Sequence, residues 1–242
     1  MIKTEANFDA LIAFLKDEKI RPETIFELGA RDCNETLAFS ETFPNATIYS
    51  FECNPQTLPK CRQAVNSVGN INLIEKAVSE IDGQISFFQI DTEKTLTTWE
   101  DGNPGASSIF KASGKYPVEK YQQNEITVQS IRLDTFIGLG KIKNIDLIWM
   151  DLQGAELGAL KSLGTFIQNV SVIHTEVEFI EIYSGQPLFE DIKDYLKSKG
   201  FMFVEFTSKT RFSADAIFIN KKKISLYKQL KFLISKRFKN ND

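Results

Sequence analysis

Acidic side chains stand at the ends of three predicted strands. Glu52 closes one apolar run and Asp151 closes another. In a third run His174, Glu176 and Glu178 alternate, so the two-residue period of a strand places all three on one face. Ligands of a doubly wound sheet bind outside the carboxyl ends of its strands. These side chains therefore predict a shared site at one edge of a sheet.

A glycine turn precedes them in the run Phe26-Glu-Leu-Gly-Ala-Arg31. Glycine admits a tight turn between strand and helix, and the helix N-terminus offers amides to an anionic group such as a carboxylate. Glu52, about twenty residues further on, can accept hydrogen bonds from both hydroxyls of a ribose. The turn and the acid together predict a nucleoside cofactor, although a single glycine also occurs at ordinary strand-to-helix turns.

Asp151 has three alternative roles. It can take a proton from an acceptor hydroxyl, with Glu176 and His174 next in line, or it can help to hold a divalent cation that acidifies the hydroxyl. We favour chemistry without a metal, because spacing alone does not specify a cation site. The third role is structural, with Asp151 capping the turn at Gln153 and Gly154. Glu176 would then be a solvated strand end, and His174 a hydrogen-bonded structural residue.

The periodicity of the chain predicts the elements that position these side chains. Apolar runs indicate strands at 24–29, 47–52, 71–78, 85–90, 126–133, 145–152, 170–177, 201–206 and 215–220. Helical patterns lie at 8–21, between the glycine turn and 43, at 55–68, from 134, and at 155–167 and 190–199. Alternating strands and helices imply an α/β fold with a mainly parallel sheet. The polar stretch 91–125 interrupts this alternation, and we interpret it as a mobile insertion on the substrate side.

Composition favours an ordinary globular protein in a reducing cytosol. The chain has 242 residues, of which 42% are apolar, and this suits a single core. Three cysteines without close paired spacing argue against a disulfide framework and against a zinc knuckle. The N-terminal stretch lacks the features of a signal peptide, and no run of about 18 apolar residues occurs.

The charge is distributed unevenly. Residues 221–242 contain eight Lys and Arg against one acid, whereas the whole chain has a net charge of -3. The acidic remainder disfavours nucleic acid as a partner. Within this basic tail the apolar residues follow a helical spacing: Ile224, Tyr227, Leu230, Leu233 and Ile234. Two interpretations stay open, a helix that packs on the body or remains a solvated end, and a helix that makes peripheral contact with an anionic membrane.

An ordered set of motifs between about residues 24 and 220 resembles the FkbM-type S-adenosylmethionine-dependent methyltransferases. The set comprises Phe26-Glu-Leu-Gly-Ala, Phe51-Glu-Cys-Asn-Pro55, Lys76-Ala-Val-Ser79, Ser107-Ser-Ile, Leu133-Asp-Thr and Asp151-Leu-Gln-Gly-Ala-Glu156. The chain departs from the family pattern at three places, with Glu27 for Asp, Arg31 for Asn and Cys33 for the second glycine of the turn. Trp149 and Gln153 replace a Lys and a Glu of the later motif, so the roles of those two residues do not carry over.

The resemblance implies a Rossmann-like class I methyltransferase with seven strands, the last of them antiparallel, and helices on both faces of the sheet. It implies S-adenosylmethionine as cofactor and O-methylation of a sugar, a glycan or a small natural product. The cofactor contacts it implies are Glu27, Gly29, Ala30 and Arg31 at the methionine end, Glu52 at the ribose, and Cys53, Asn54 and Ala77 beside the adenine. Residues 1–22 form an N-terminal helical extension, 23–220 the methyltransferase domain and 221–242 the tail.

Two other functions compete with this interpretation. An oxidoreductase that binds NAD or a nucleotide sugar would use Glu52 equally well. The chain lacks the second and third glycines that bring backbone close to a pyrophosphate, and this counts against a dinucleotide. A module that binds the cofactor but has lost turnover is the second alternative.

Overall fold

The computed structural model describes residues 6–225 together with Gln229 and Phe232. The six helices of this part are α1 (Ala6–Asp17), α2 (Asn34–Thr42), α3 (Leu58–Val65), α4 (Leu133–Gly140), α5 (Glu156–Ser162) and α6 (Phe189–Ser198). The strands are β1 (Thr24–Leu28), β2 (Thr47–Phe51), β3 (Ile71–Ile74), β4 (Ala77–Val78), β5 (Gly83–Ile90), β6 (Gln123–Ile131), β7 (Ile145–Met150), β8 (Val170–Glu178), β9 (Phe201–Lys209) and β10 (Ser213–Asn220).

Seven of these strands form one sheet in the order β3-β2-β1-β7-β8-β10-β9. The neighbours from β3 to β8 run parallel, and β10 is antiparallel to both β8 and β9. The predicted seven-stranded sheet with an antiparallel last strand is confirmed. The chain order reverses between β1 and β7, and this is where an open α/β sheet leaves a crevice for a ligand.

Apolar side chains cover both faces of the large sheet. One core contains α4, α5 and α6 residues such as Ile137, Leu160 and Ile192. The other contains Leu11 and Leu15 of α1, which pack with α2 residues against the opposite face. A helix that repeats apolar residues every three or four positions buries one stripe in this way. The sheet is thus held from two sides, and the carboxyl ends of its strands are left for the site.

Two segments that were predicted to be single elements are each divided into two in the structure. The run 71–78 divides into β3, in the large sheet, and β4, which pairs with β6 in a separate small sheet of order β4-β6-β5. The chain turns between them, with the Lys76 amide donating to the Ile74 carbonyl at 2.9 Å. The predicted helix 155–167 ends at Ser162 and continues as a 3-10 helix over Gly164–Asn169. Gly164 has a φ of +54°, which interrupts α-helical geometry.

The structure also joins Cys33 to Cys61 in a disulfide, with the two Cα atoms 5.1 Å apart. The cysteine count and spacing argued against a disulfide, and that expectation is wrong for this pair, whose members lie 28 positions apart in sequence. They meet because α2 and α3 are neighbours. Cys53 is free.

Most of the predicted tail helix lies outside the described residues. Phe232 is buried, and its ring lies 6.2 Å from that of Phe14 in α1. Within the part of the chain that the structure describes, no helix is long and apolar enough to cross a membrane.

Candidate functional site

A cavity of about 280 Å³ opens at the carboxyl ends of β1, β2, β7 and β8. The segment between β5 and β6 covers it and contributes Trp99, Asn103, Tyr116 and Tyr121 to its lining. The predicted site residues found in the lining are Gly29, Arg31, Glu52, Cys53, Asn54, Ala77, Asp151 and Glu176. The sheet topology therefore brings together side chains from both halves of the chain.

Gly29 lies where two strand ends touch. Its φ is +87°, and a Cβ atom added there would stand 1.9 Å from the backbone oxygen of Asp151. The amides of Gly29 and Ala30 both donate to the Phe51 carbonyl at 3.0 Å. A side chain at position 29 would thus separate β1 from β7, so glycine is required by close approach as well as by backbone conformation.

Glu52 accepts three backbone hydrogen bonds at the wall of the cavity. The donors are the amides of Arg31 at 2.7 Å, Cys53 at 2.7 Å and Asn54 at 2.6 Å. Burial raises the pKa of Glu52, while the amide bonds act in the opposite direction. Oε1 accepts both the Cys53 and Asn54 amides, whereas Oε2 accepts the Arg31 amide and keeps one lone pair for a ribose hydroxyl.

Glu27 does not line the cavity, in contrast to its predicted place beside the cofactor. Its buried carboxyl accepts hydrogen bonds from the Thr36 hydroxyl in α2 and, at 2.8 Å, from the Ser50 hydroxyl in β2. Burial raises the pKa of Glu27 to about 8. The structure gives this residue a positioning role, because its carboxyl ties the start of α2 and strand β2 to its own strand β1.

Arg31 spans the mouth of the cavity. Its guanidinium lies 2.9 Å from the Asp101 carboxylate and 4.5 Å above the centre of the Trp99 ring. Its φ of +49° places it in the left-handed region. Arginine at this position therefore connects the β1–α2 turn to the segment that covers the site, a contact that the departure from the family motif did not predict.

An apolar slot lies beside Glu52. Cys53, Ala77 and Phe87 line the cavity next to each other, and Phe87 and Ala77 belong to one small apolar cluster with Cys53 packed against it. Asn54 closes the slot by donating to the Pro104 carbonyl at 3.1 Å. A carboxylate next to a flat apolar slot fits the ribose and adenine of a nucleoside. Phe87 was absent from the sequence-based set, since its strand carried no motif.

Gln153 bridges the two carboxylates at the other end of the cavity. Its side-chain amide donates to Asp151 at 2.6 Å and to Glu176 at 2.9 Å, while its oxygen accepts from the Tyr183 hydroxyl at 2.8 Å. No role was predicted for Gln153, because it replaces the Glu of the family motif. Its position two residues after Asp151 was the feature of the sequence that could have indicated a place in the site.

The capping alternative for Asp151 is wrong. The turn amides of Leu152 and Gly154 donate to Glu156, at 2.8 and 3.3 Å, and Asp151 faces the open cavity. Enclosure by protein raises the pKa of Asp151, and it raises that of Glu176 well above the usual range. Asp151 also adds to the shift at Glu176, because two nearby carboxylates resist simultaneous ionisation. Glu176 is thus the stronger holder of a proton.

Glu178 is the most secluded carboxylate of the cavity lining. This residue is 1% exposed, and the side chain of Gln186 lies within hydrogen-bonding reach of its carboxyl group. Burial raises the pKa of Glu178 well above the usual range, and the charges of Glu156 and Asp151 add to the effect. Among the described residues, no group of three His, Cys, Asp or Glu side chains is placed to hold a metal ion.

His174 lies below the cavity and does not line it. Its ring stacks on Trp149 with centroids 4.3 Å apart, and its Nε2 is 2.7 Å from the Thr207 hydroxyl. Burial lowers the pKa of His174 to about 4, so the ring is neutral at physiological pH. The two-residue period correctly placed His174 on the same face of the strand as Glu176. Two positions along a strand span about 7 Å, however, so His174 lies about that much further from the cavity than Glu176. Its structural interpretation fits this position.

The model of the methyltransferase FkbM domain matches residues 27–203. The chain belongs to this family. It is an S-adenosylmethionine-dependent methyltransferase, and the family predicted from the motifs is confirmed. The two alternative functions, an oxidoreductase and a non-catalytic module, are therefore wrong. The residues around the cavity fit this cofactor, because the lining contains a glycine turn, a carboxylate and an apolar slot.

Two relatives and one solved structure resemble this methyltransferase. It is 29% identical to the 2-O-methyltransferase NoeI of Sinorhizobium fredii, over 72% of this chain and 71% of that protein. It is 25% identical to Methyltransferase 1 of Beauveria bassiana, over 69% of this chain and 67% of that protein. The fibrillarin pre-rRNA processing protein of Methanococcus jannaschii shares the fold, with a TM-score of 0.50, 12% identity and coverage of 83% of this chain and 67% of that one.

Proposed function

We propose that this methyltransferase transfers a methyl group to a hydroxyl of a sugar, a glycan or a small natural product. The observation that carries the proposal is the Asp151–Gln153–Glu176 arrangement at the end of the cavity opposite the apolar slot. The similarity to NoeI, a 2-O-methyltransferase, supports an oxygen acceptor.

The cofactor supplies a sulfonium methyl group, from which the acceptor oxygen displaces the sulfur in line. In this proposal Glu52 holds the ribose and the Gly29–Arg31 backbone holds the methionine end. Most of the acceleration then comes from alignment of the acceptor oxygen with the methyl carbon. The cavity walls from β2 and β8 limit the positions that both reactants can take.

Asp151 serves as the base. A new O–C bond forms as the C–S bond breaks, and the hydroxyl proton passes to the Asp151 carboxylate. Gln153 keeps that carboxylate oriented by its 2.6 Å hydrogen bond. Glu176, whose pKa is raised further, stays protonated and avoids adding a second negative charge beside the base. A carboxylate with a raised pKa is a better base at neutral pH than an ordinary one.

Replacement of the base tests this function. Asp151→Asn should retain the fold and the affinity for S-adenosylmethionine while turnover falls about 100-fold, the usual scale for loss of a general base. The measurement is transfer of labelled methyl groups to a panel of oligosaccharides and small hydroxyl compounds, with mass spectrometry to locate the methyl group.

Asp146→Asn is the matched control, because Asp146 accepts from the Glu23 and Thr24 amides at the start of β7, whereas Asp151 follows the other end of that strand. Turnover near the normal rate in Asp151→Asn would exclude Asp151 as the base. Methyl transfer only to nitrogen acceptors would reject O-methylation.

A further inference from the structure

Neighbouring segments fix Gln153 at both its backbone and its side chain. Its φ of +52° lies in the left-handed region, and its backbone carbonyl accepts from the Ser108 hydroxyl at 2.7 Å. Its side-chain amide donates to Asp151 and Glu176, and its side-chain oxygen faces the Tyr183 hydroxyl. A residue other than glycine keeps such a backbone only where its surroundings determine it, and such residues concentrate at active sites. The conformation of Gln153 is therefore imposed by the groups around it.

Tyr183 contacts the far end of this amide. It is fully buried in the loop between β8 and α6 and does not line the cavity. Its ring stacks on that of Tyr121 with centroids 6.0 Å apart, and its backbone amide donates to the Gln186 side chain. Its hydroxyl lies 2.8 Å from the side-chain oxygen of Gln153 and 2.8 Å from the Ala106 carbonyl. Tyr183 can thus act on the reaction through Gln153, without touching the reactants.

The phenol proton of Tyr183 has two acceptors, because a phenol carries a single O–H group. Donation to Gln153 leaves both amide N–H groups for Asp151 and Glu176. Donation to Ala106 alone would turn the Gln153 NH2 group toward the phenol oxygen, and the amide oxygen toward the two carboxyl groups. An ionised Asp151 repels that oxygen. The proton on Gln153 therefore accompanies the form of Asp151 that can act as a base.

We propose that Tyr183 is a positioning residue of methyl transfer, because its hydroxyl holds the Gln153 amide with its N–H groups toward the two carboxyl groups. This inference rests on the proposed function and adds to it a residue outside the cavity. The 2.6 Å bond from Gln153 keeps the Asp151 carboxylate in one direction. Without the Tyr183 hydroxyl, the amide oxygen would lose the donor that the structure gives it, and the amide would be free to rotate.

The bond from Gln153 also favours the ionised form of Asp151. Burial raises the pKa of Asp151, and this hydrogen bond lowers it. Loss of the Tyr183 contact should therefore raise the pKa of the base. The other charged groups that face Asp151 are Arg31 from the β1–α2 turn, Glu156 from α5, Glu176 and Glu178 from β8, and Asp215 from β10. The variants below retain all of these groups.

A double-mutant cycle tests whether Tyr183 acts through Gln153. Methyl transfer is measured with an acceptor that the panel above identifies. Tyr183→Phe removes the hydroxyl and should lower turnover about tenfold, the scale of one hydrogen bond. Gln153→Met removes the amide, keeps an unbranched side chain, and should lower turnover at least as much. Adding Tyr183→Phe to Gln153→Met should then change turnover less than about twofold. Losses that multiply overturn the proposal.

The pH dependence of kcat distinguishes positioning from a general loss of structure. In Tyr183→Phe the limb that reports the base should move to higher pH by about half a unit or more, while the KM for S-adenosylmethionine stays within about twofold. Tyr195→Phe is the matched control, because its hydroxyl reaches the Leu160 carbonyl in α5, and it should leave the profile unchanged. Lower turnover with an unmoved limb in Tyr183→Phe overturns the proposal.

Proton exchange at the Gln153 side-chain amide can be measured in the unaltered chain without any acceptor. The chain is loaded with S-adenosylhomocysteine, and the NMR signal of the amide is assigned by its absence in Gln153→Met. Both N–H groups are hydrogen-bonded, so they should exchange at least about tenfold more slowly than those of Gln63, which is exposed on α3. Exchange as fast as that of Gln63 overturns the proposal, even if Tyr183→Phe does not fold.

These outcomes are separable from failure of the proposed function. Normal turnover in Asp151→Asn would reject the base, whereas losses that do not multiply in the cycle would still show that Tyr183 acts through Gln153. A large loss in Asp151→Asn together with multiplying losses in the cycle would keep O-methylation and remove Tyr183 from it.

Discussion

Two acids at neighbouring strand ends differ in burial and in hydrogen bonding. Glu52 follows β2 and Glu75 follows β3. Glu75 forms an exposed ion pair with Arg62, whereas Glu52 is buried and gathers three amides at the cavity wall. Exposed ion pairs contribute little, while charge-assisted bonds in a dry site contribute more.

Glu52→Ala should therefore weaken binding of S-adenosylmethionine at least tenfold. Each hydrogen bond to a buried charged group contributes about 1.5–3 kcal/mol, and about 1.4 kcal/mol corresponds to a factor of ten. Isothermal titration calorimetry measures the affinity. Glu75→Ala is the control and should bind normally. An unchanged dissociation constant in folded Glu52→Ala would contradict the assignment of Glu52 as the residue that binds the ribose.

At the scale of elements, the site depends on the contact between the β1–α2 turn and the end of β7. Gly29 makes this contact possible, and the Asp151 amide donates to the Leu28 carbonyl at 3.0 Å next to it. The turn proposed to hold the cofactor and the proposed base are thus parts of one junction. Movement of either strand end would displace both.

Gly29→Ala should lower the free energy of unfolding by more than 2 kcal/mol and abolish measurable cofactor binding. The left-handed backbone alone costs a residue with a Cβ atom about 1–2 kcal/mol, and the contact with Asp151 adds to this. Urea denaturation measures the effect. Gly69→Ala is the control, because a Cβ there meets nothing within 4 Å and its φ is not positive. Equal stability of the two variants would show that the junction adapts.

At the scale of the whole molecule, buried carboxyl groups link stability to pH. Burial raises the pKa of Glu27 to about 8 and that of Glu156 to about 7. A folded-state pKa above the unfolded value of about 4.5 means that the native state holds its protons more tightly. The resulting stability is complete below pH of about 4.5 and is lost as the pH rises toward 8. His174, with a lowered pKa, destabilises the protein on the acid side instead, between pH of about 6.5 and 4.

Glu27→Gln should remove part of the loss between pH 5 and 8. The glutamine oxygen can still accept from Thr36 and Ser50, but it does not ionise. One group changes the free energy of unfolding by at most about 1.4 kcal/mol per pH unit, and the variant should lose about this slope. Urea denaturation at several pH values measures it. Glu23→Gln, exposed before β1, should keep the wild-type slope, and an identical slope in Glu27→Gln would refute the assignment.

Local patterns were sufficient for the architecture and for several residues of the cavity lining. Short apolar runs alternating with amphipathic stretches predicted the doubly wound sheet, because backbone hydrogen bonding and burial of apolar faces depend mainly on neighbouring residues. Gly29, Glu52 and Asp151 were found because strand ends of a parallel sheet converge on one edge. The ordered motifs that identified the family lie at these strand ends as well.

Contacts between distant residues were decided only by the tertiary structure. Gln153 bridges Asp151 and Glu176 because β7 and β8 are adjacent, and Cys33 meets Cys61 because α2 packs beside α3. The two-residue period of a strand defines a face but not depth, so it could not separate His174 below the cavity from Glu178 in its wall. Whether a carboxyl group finds a donor likewise depends on every element packed around it, and this is a property of the folded chain.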